Sequence, residues 1–497
     1  RIDAPASSPR PPARSPWPAL WAMMLGFFMI LVDSTIVSVA IPAITEGLQA
    51  SYNEVIWVNS AYLLAYAVPL LITGRLGDRF GPRSMYLLGL ALFTASSLAC
   101  GLASSVSALI IARAFQGFGG AMVTPQTMSV MIRTFAPTAR GAAMGVWGAT
   151  AGLATVTGPL AGGLLVDAAG WPWIFYVNVP VGILGLILAA RFVPRLEQTN
   201  RSFDWTGVVL SAIGMFCLVF GIQEAQRFNW DWRLWALLTG GALAMASFVY
   251  WQAVRGKDAL VPLELFANRN FTLAGCTIAS VGFAVSTFII PWMIYVQSVQ
   301  EYSPTHAALL VLPSGLVSLF LSPAIGKLTN SHDPKPFAIV GLTLAAASMG
   351  FAAVITEPGI SPSWMYLVSV VYGVANSMMW GPLSMVATRN LESRLAGSGS
   401  SVYNTMRQMG AVVGSAAIAA MMSAQLEQHL SSGAGGGGTG AGGATAVDGP
   451  NFAGALPAEL HVPFAQAMSN SIWLPCAVIG AGAILACFFQ RTQSWSA

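Results

Sequence analysis

Residues 74–83 read GRLGDRFGPR, and residues 326–335 read GKLTNSHDPK. The two stretches align without a gap at an offset of 252 residues, and they share a glycine, a base, a leucine, an Asp or Asn and a proline-base pair. Each stretch separates two long apolar runs, so the same connection stands once in each half of the chain. Parallel repeats of this kind in a membrane protein indicate a transporter whose halves rock around a central site.

The composition excludes a water-soluble fold. Of the 497 residues 55% are hydrophobic and 8% are charged, against roughly 25% charged residues in soluble proteins. A net charge of +4 without a basic block argues against a nucleic-acid partner. The chain has three lysines, and none follows a glycine-rich phosphate loop, while its four histidines stand in separate loops. We therefore expect no enzyme activity, no cofactor, no metal and no ATP-driven transport.

Fourteen apolar runs are long enough to cross a bilayer, whose core takes about 20 helical residues. They predict an all-α polytopic membrane protein with two six-helix halves in pseudo-symmetric repeat and two inserted helices. The predicted spans lie near residues 18–41, 54–73, 84–103, 107–131, 141–166, 172–193, 205–223, 232–254, 271–297, 306–326, 337–356, 364–387, 397–423 and 470–489.

The predicted domains follow from these runs. Residues 1–16 form a disordered cytoplasmic tail, 17–194 the first half, 195–256 a linker with the inserted helices, and 257–490 the second half. A glycine-rich outer loop, 425–469, lies within the second half and is expected to be disordered, with docking of an outer adaptor as the alternative. We expect a monomer.

Lysines and arginines in the loops are distributed unevenly. With fourteen spans, nineteen fall on one side and two, Arg227 and Arg233, on the other. Cytoplasmic loops carry this excess, so both termini are expected in the cytoplasm of a cell whose cytoplasmic membrane the chain spans many times. We call the end of the bundle with the nineteen bases the basic side.

Six motifs in order resemble those of the fourteen-helix drug:proton antiporters of the major facilitator superfamily. Residues 74–83 resemble the superfamily's cytoplasmic signature, except at Pro82, where a base is usual. Pro172 also departs from the pattern, because an arginine usually stands between the two tryptophans. The other motif residues are Leu31 to Val37 with Ala40, Ile41 and Pro42; Arg113, Gln116, Gly117, Gly119 and Gly120; Gly158, Pro159, Gly162 and Gly163; Trp173, Ile174, Phe175, Asn178, Pro180 and Gly182; and Arg407, Gln408, Gly410 and Gly414.

The resemblance implies multidrug efflux by rocker-switch alternating access, with lipophilic and cationic drugs or dyes exchanged for protons. The alternative is a dedicated proton-coupled exporter of an endogenous metabolite or amphipathic lipid. Gly158, Pro159, Gly162 and Gly163 match the motif attributed to antiporters. Together with Gly145, Gly148 and Gly152 they are expected to put small residues on one side of the fifth span, where helices approach closely.

Asp33 is the only acidic residue placed in the middle of a span, and Arg113 and Arg407 are the mid-span bases. Burial disfavours a charged carboxylate and a nearby arginine favours it, so the two effects together could poise Asp33 for proton exchange. We expect Asp33 to carry the coupling proton and Arg113 either to modulate its pKa or to exclude a cationic substrate, with a static buried pair as the alternative. Val285 stands where the second half aligns with Asp33, so coupling is expected in the first half alone.

The repeated connection is expected to act as a gate latch between the halves, with topology alone as the other interpretation. Its residues are Gly74, Arg75, Gly77, Asp78, Arg79, Gly81 and Arg83; the glycines would allow a tight turn, and Asp78 would meet a helix N-terminus or a base. Aromatic, methionine and amide side chains on the spans are candidates for a pocket for small lipophilic substrates. They are Asn59, Tyr62, Tyr66, Gln126, Trp147, Phe288, Trp292, Tyr295, Tyr372, Asn376, Met378, Met379 and Trp380, with Arg407 added as a charged candidate.

Overall fold

The described residues form helices joined by short connections, and no strand occurs among them. The computed structural model describes residues 15–50, 52–136, 138–196, 198, 204–225, 228, 230–256, 259–389, 391–433 and 458–490. The helices of the first half are α1 (Trp17–Gly47), α2 (Tyr52–Ala67), α3 (Leu70–Phe80), α4 (Pro82–Gly101), α5 (Val106–Thr134), α6 (Arg140–Ala169), α7 (Trp173–Tyr176) and α8 (Asn178–Phe192). The inserted pair is α9 (Trp205–Gln223) and α10 (Trp232–Arg255). The helices of the second half are α11 (Glu264–Ala267), α12 (Arg269–Ser298), α13 (Pro304–Ser331), α14 (Pro334–Val354), α15 (Pro362–Thr388), α16 (Ala396–Gly433) and α17 (His461–Cys487).

Within this part of the chain, 12 helices are long and apolar enough to cross a membrane, and the bent pair α2 and α3 brings the number to 13. Helix α15 is the remaining long helix, with 27 residues, or about 40 Å at 1.5 Å per residue. Its lower hydropathy reflects serines and an asparagine that face neighbouring helices rather than lipid. The arrangement is consistent with the fourteen spans predicted from the sequence.

The same packing pattern occurs in both halves. Helix α4 packs on α5 and α8, and α1 packs on α6 and α8; correspondingly, α14 packs on α15 and α17, and α12 packs on α16 and α17. The halves meet along two equivalent seams, one between α6 and α13 and one between α16 and α3. The inserted helices pack on each other and touch α2 and α16 through α9. The internal repeat in the sequence is therefore also a repeat of helix contacts.

A buried carboxylate at the basic side anchors the inserted pair. Asp204 caps the N-terminus of α9, accepting hydrogen bonds from the Gly207 N–H, the Trp251 indole and the Gln252 amide, each at 2.9 Å. The Arg255 guanidinium lies 3.8 Å away. Burial raises the pKa of Asp204, but these hydrogen bonds and the charge of Arg255 outweigh it and hold the pKa below its usual range. One side chain therefore fixes α10 against the start of α9.

The predicted loop at residues 74–83 is largely helical, which corrects its assignment as a turn. Pro69 has no N–H to donate, so the second span bends by 47° there and continues as α3 to Phe80. Of the three glycines, only Gly81 stands at the turn, with φ +87°. Gly74 and Gly77 lie inside α3, where they allow close packing.

The glycine-rich outer loop is also shorter than predicted. Helix α16 continues to Gly433 and α17 starts at His461, so both ends of the 425–469 range are helical. Non-glycine residues at 425–432 and 461–469 favour extension of the spans that flank the tract. Residues 434–457 and the tail residues 1–14 lie outside the described residues.

Candidate functional site

The carboxylate of Asp33 is fully buried in α1 and accepts three hydrogen bonds from side chains. Its Oδ2 accepts from Arg113 Nη1 at 2.5 Å, and its Oδ1 accepts from Gln116 Nε2 at 3.0 Å and from Asn178 Nδ2 at 2.8 Å. Every partner donates, so this arrangement suits the ionised carboxylate. The donors come from α5 and α8, and Asp33 therefore ties three helices of the first half together.

Arg113 is also fully buried and has acceptors other than Asp33. Its Nη1 donates to Gln116 Oε1 at 2.7 Å, and its Nε donates to the carbonyl oxygen of Val58 at 3.3 Å. Its guanidinium lies 4.0 Å from the centroid of the Tyr62 ring. The arginine is thus held by amide, carbonyl and aromatic groups as well as by the ion pair.

We use the name first-half network for Asp33, Arg113, Gln116, Asn178 and Ser97, whose hydroxyl accepts from Gln116 Nε2 at 2.7 Å. The sequence identified the ion pair but assigned no role to the other three residues. Two of them carried a signal. Gln116 follows Arg113 by three positions and so shares its helix face, while Asn178 is an amide inside an apolar run. Ser97 carried no such sequence signal, because serines are common in these spans.

The glycines of α6 lie on two faces, which corrects the expectation of one. Gly145 and Gly152 pack against α13, near Ser322 and Ser318, so they belong to the seam between halves. The seven positions from Gly145 to Gly152 complete about two turns, whereas the six from Gly152 to Gly158 do not, and the helix has rotated by then. The remaining motif residues differ among themselves: Gly158 and Gly162 abut Thr35 and Ile36 of α1, Pro159 lies inside the helix, and Gly163 has open space beside it.

The carboxylate of Asp78 lies at the N-terminus of α16. It accepts hydrogen bonds from the backbone N–H and the hydroxyl of Ser398, and the charges of Arg75 and Arg133 act on it. A negative charge is favourable at the positive end of a helix dipole. Asp78 belongs to the first half and α16 to the second, so this contact joins the halves at the basic side.

An equivalent contact joins the other pair of helices. A Cβ on Gly74 would lie 2.7 Å from the carbonyl oxygen of Gly397, and a Cβ on Gly326 would lie 2.5 Å from the carbonyl oxygen of Gly141. Asn330, the counterpart of Asp78, has its Oδ1 at the start of α6. Both seams are therefore closed at the basic side, one with a charged residue and one with a neutral amide.

The other bases of the repeated connection are placed around the turn. The Arg83 guanidinium donates to the carbonyl oxygen of Ala190, which ties α4 to the end of α8. The Arg79 guanidinium lies 5.5 Å from the Phe80 ring centroid. Neither contact crosses between the halves. The geometry therefore separates Asp78, Gly74 and Arg75 at the seam from Arg79, Gly81 and Arg83 at the turn.

Two of the aromatic candidates, Trp147 and Trp380, form one array across the centre of the bundle with Phe27, which the sequence analysis did not single out. Phe27 stacks on Trp147 with ring centroids 5.2 Å apart, and Trp147 meets the edge of Trp380 at 6.4 Å. The Trp380 indole donates to Asn376 Oδ1 at 3.2 Å. The rings come from α1, α6 and α15, so the array bridges the two halves. The buried Trp147 Nε1 has no hydrogen-bond partner.

Other candidates have structural contacts within the first half. Tyr62 lies under Arg113, and its hydroxyl donates to the carbonyl oxygen of Ile30 at 3.3 Å. The Tyr66 hydroxyl donates to Thr124 Oγ1 at 3.0 Å. Gln126 donates to the carbonyl oxygen of Thr73 at 2.9 Å and fills the space beside Gly77, so it packs α5 on α3. These contacts account for the three side chains without a ligand.

The second half holds a separate aromatic cluster. Phe288 stacks on Trp292 at 6.0 Å and contacts Tyr372 at 5.7 Å. The Tyr295 hydroxyl donates to the carbonyl oxygen of Glu357 at 2.6 Å, which places it at the end of the bundle away from the basic side. The buried methionine of the candidate pair, Met379, lies in the core, where its backbone packs beside Gly341 of α14.

Several candidates have buried polar atoms without a partner among the described residues, and Gln126 is one of them, at its Oε1. The Oδ1 of Asn59 and the Nε of Arg407 are buried and accept or donate no hydrogen bond among the described residues. Arg407 also has no carboxylate within salt-bridge distance in this part of the chain. In the same residues, no three His, Cys, Asp or Glu side chains come together in a group that could hold a metal ion.

Residues 23–415 match the Major Facilitator Superfamily. An uncharacterized transporter of this type from Mycobacterium tuberculosis is 46% identical, over 96% of this chain and 81% of the relative. The tetracenomycin C resistance and export protein of Streptomyces glaucescens is 34% identical, over 83% and 77%. The multidrug export protein EmrB of Haemophilus influenzae is 32% identical, over 79% and 78%.

A solved structure shares the fold. The chain resembles the proton:xylose symporter XylE with a TM-score of 0.61 and 13% identity, over 96% of this chain and 97% of the symporter. At that identity the likeness concerns the fold alone. Together the comparisons show the family that the sequence motifs had indicated.

Proposed function

The chain belongs to the major facilitator superfamily, and from that premise we propose that it exports lipophilic small molecules in exchange for protons by alternating access. Its fold and relatives make it a multi-pass membrane transporter for small substrates, and relatives are named for multidrug and antibiotic export. Proton coupling, the inward orientation of the basic side and the monomeric state are our proposals.

The surroundings of Asp33 are the observation that carries proton coupling. Three donors converge on its carboxylate, and a proton there would remove the negative charge that attracts Arg113. Proton binding would therefore weaken the contacts of Asp33 with its partners, most of all the ion pair with Arg113. Because those partners lie on α5 and α8, a single proton would change how α1 packs against both helices.

Arg113 would keep other contacts when Asp33 is protonated. Removing one partner of a buried ion pair usually costs about 3 to 5 kcal/mol, because the other charge is left without compensation. Here Gln116, the Val58 carbonyl and the Tyr62 ring remain in contact with the guanidinium. These alternative contacts support an exchangeable proton over a static pair.

The route from Asp33 to the seam is short. Helix α1 packs on α6 at Gly158 and Gly162, and the other end of α6 packs on α13 at Gly145. A shift of α1 after proton binding would therefore be passed through α6 to the contact between halves. The fully buried state of Asp33 with the basic side closed fits an occluded step in such a cycle.

The substrate pocket would lie between the halves, at the Phe27, Trp147 and Trp380 array. Rings of this kind suit lipophilic, chemically varied compounds. The expected cationic substrate would need a carboxylate, and Asp33 could offer one only after Arg113 releases it. A carrier for one endogenous metabolite or lipid would transport a single chemical class, whereas a multidrug exporter would transport several.

The experiment is dye efflux in inverted vesicles with an imposed pH gradient, with wild type compared with Asp33→Asn. We expect the gradient to drive uptake by wild-type vesicles and not by Asp33→Asn vesicles, with equal protein levels by immunoblot. Substrate exchange without a gradient serves as the control for folding. Gradient-driven transport by Asp33→Asn at the wild-type rate would exclude Asp33 as the proton carrier.

A further inference from the structure

We propose that Arg407 receives an ionised acidic group of the substrate, so that the preferred ligand is an aromatic compound carrying a carboxylate or phenolate. This deepens the proposed function, on which it rests, and replaces the expected cation with an anion. The proposal starts from an arginine in the middle of a span whose buried Nε has no partner.

Arg407 lies on the face of α16 that meets the opposite half. Seven residues earlier, the Ser400 hydroxyl donates to the carbonyl oxygen of Pro125 in α5 at 3.0 Å. Residues seven apart stand two turns apart on the same helix face. Arg407 therefore lies above this contact, toward the interface between α5 and the second half.

Its depth in the bundle matches that of the tryptophan array. The Tyr403 hydroxyl lies 3.2 Å from Ser384 Oγ, so these residues of the antiparallel helices α16 and α15 are level. Arg407 and Trp380 each stand one turn, about 5.4 Å, further from the basic side. Arg407 also acts electrostatically on Tyr403. The guanidinium and the indole therefore share one level of the interface.

Near this level the buried unpaired groups among the described residues include two donors, Arg407 Nε and Trp147 Nε1, and one acceptor, Asn404 Oδ1. The Trp147 Nε1 is buried without an acceptor, and Trp147 contacts Trp380. Asp33, whose carboxylate lies in the middle of a first-half span, already forms an ion pair with Arg113. Buried polar groups without partners call for an explanation, and an absent ligand is one. A ligand that satisfies both donors must bring acceptors and a negative charge.

The neighbouring surfaces define the rest of the ligand. The rings of Phe27, Trp147 and Trp380 are buried here and would offer flat apolar area once the halves separate, which favours a planar or polycyclic skeleton. A guanidinium binds a carboxylate through two parallel hydrogen bonds, and it also accepts a phenolate. The chemistry is therefore that of an aromatic acid rather than of an aliphatic acid or a quaternary amine.

Two dyes with a shared xanthene skeleton test the proposal: fluorescein, which is an anion, and rhodamine 123, which is a cation. Binding to purified protein in detergent is followed by fluorescence anisotropy for wild type, Arg407→Gln, Arg407→Lys and Arg233→Gln. Arg233 is exposed near the other end of the bundle, so Arg233→Gln removes one positive charge elsewhere. We expect wild type to prefer fluorescein. Arg407→Gln should lose about 10- to 100-fold in fluorescein affinity, the value of one hydrogen bond to a charged group.

Rhodamine 123 affinity should not fall in Arg407→Gln, Arg407→Lys should retain part of the fluorescein affinity, and Arg233→Gln should match wild type. Equal fluorescein affinity in wild type and Arg407→Gln would overturn the proposal, as would a wild-type preference for rhodamine 123 or no fluorescein binding. Because binding needs no proton gradient, a failure of gradient-driven efflux with intact fluorescein binding would overturn the proposed function alone.

Discussion

The carboxylate of Asp78 occupies the position where a Cβ on Gly397 would stand. One residue lies in α3 of the first half and the other in the first turn of α16, so the halves touch here without room for a methyl group. The Ser398 hydroxyl and backbone N–H both donate to the same carboxylate. The contact can therefore form only if residue 397 is glycine.

Gly397→Ala should open the basic side. A methyl group against a carboxylate cannot be accommodated without a shift of α16, and overpacking of this kind costs about 1 to 3 kcal/mol, or about 5- to 150-fold in a two-state equilibrium. We expect a cysteine at position 400, buried here, to react faster with a maleimide in Gly397→Ala than in the parent. The measurement requires replacement of the five native cysteines. An unchanged labelling rate would show that the contact does not hold this side closed.

The fold could be predicted from the sequence because the length of the apolar runs, the charges of the loops and the repeat at 74–83 and 326–335 are local features. Asp33 and Arg113 could be identified as candidates because charged side chains inside membrane spans are costly and therefore few. The contact of Asn178 with Asp33, 145 positions away, could not be predicted from the sequence. An uncharged amide costs less than a charge inside a span, and its partner is set by tertiary packing. The faces of the α6 glycines likewise depend on helix rotation, which a count of small residues does not give.

Gly158→Ala and Gly163→Ala should differ although both residues belong to the same motif. A Cβ at 158 would overlap the Thr35 side chain, two residues along α1 from Asp33, whereas a Cβ at 163 meets nothing within 4 Å. We expect Gly158→Ala to lower the free energy of unfolding by about 1 to 3 kcal/mol and to slow exchange. Gly163→Ala should keep the wild-type melting midpoint in detergent. Equal effects would mean that the α1–α6 contact is not the reason for these glycines.

Asp204 should make the docking of α9 and α10 dependent on pH. Its pKa lies below the usual value in the folded protein, so its stabilising contribution is present above the unfolded pKa, about 3.9, and is lost as pH falls through the folded pKa. At pH 7, Asp204→Asn should lower stability by about 1 kcal/mol, because hydrogen bonds to a charged group become neutral ones.

The measurement is the melting midpoint of both proteins from pH 7 to pH 3. The difference in melting midpoint between wild type and Asp204→Asn should narrow as the solution is acidified below about pH 5. Arg233→Gln, which changes an exposed charge far from this cap, should run parallel to wild type at every pH. A gap that stays constant over the whole range would show that the charge of Asp204 contributes nothing to docking.

The response of the export rate to membrane potential should depend on the sign of the substrate charge. Exchange of an incoming proton for an outgoing anion moves at least two charges in the favourable direction when the inside is negative, and each is worth about 2.3 kcal/mol per 100 mV. Exchange of a proton for a monovalent cation moves no net charge. In right-side-out vesicles without a pH gradient, a potassium diffusion potential should therefore accelerate fluorescein export and leave rhodamine 123 export unchanged. Subtracting the rate in Asp33→Asn vesicles removes passive redistribution of both dyes. A potential that leaves fluorescein export unchanged, in vesicles where a pH gradient drives it, would contradict the exchange of a proton for an anion bound at Arg407.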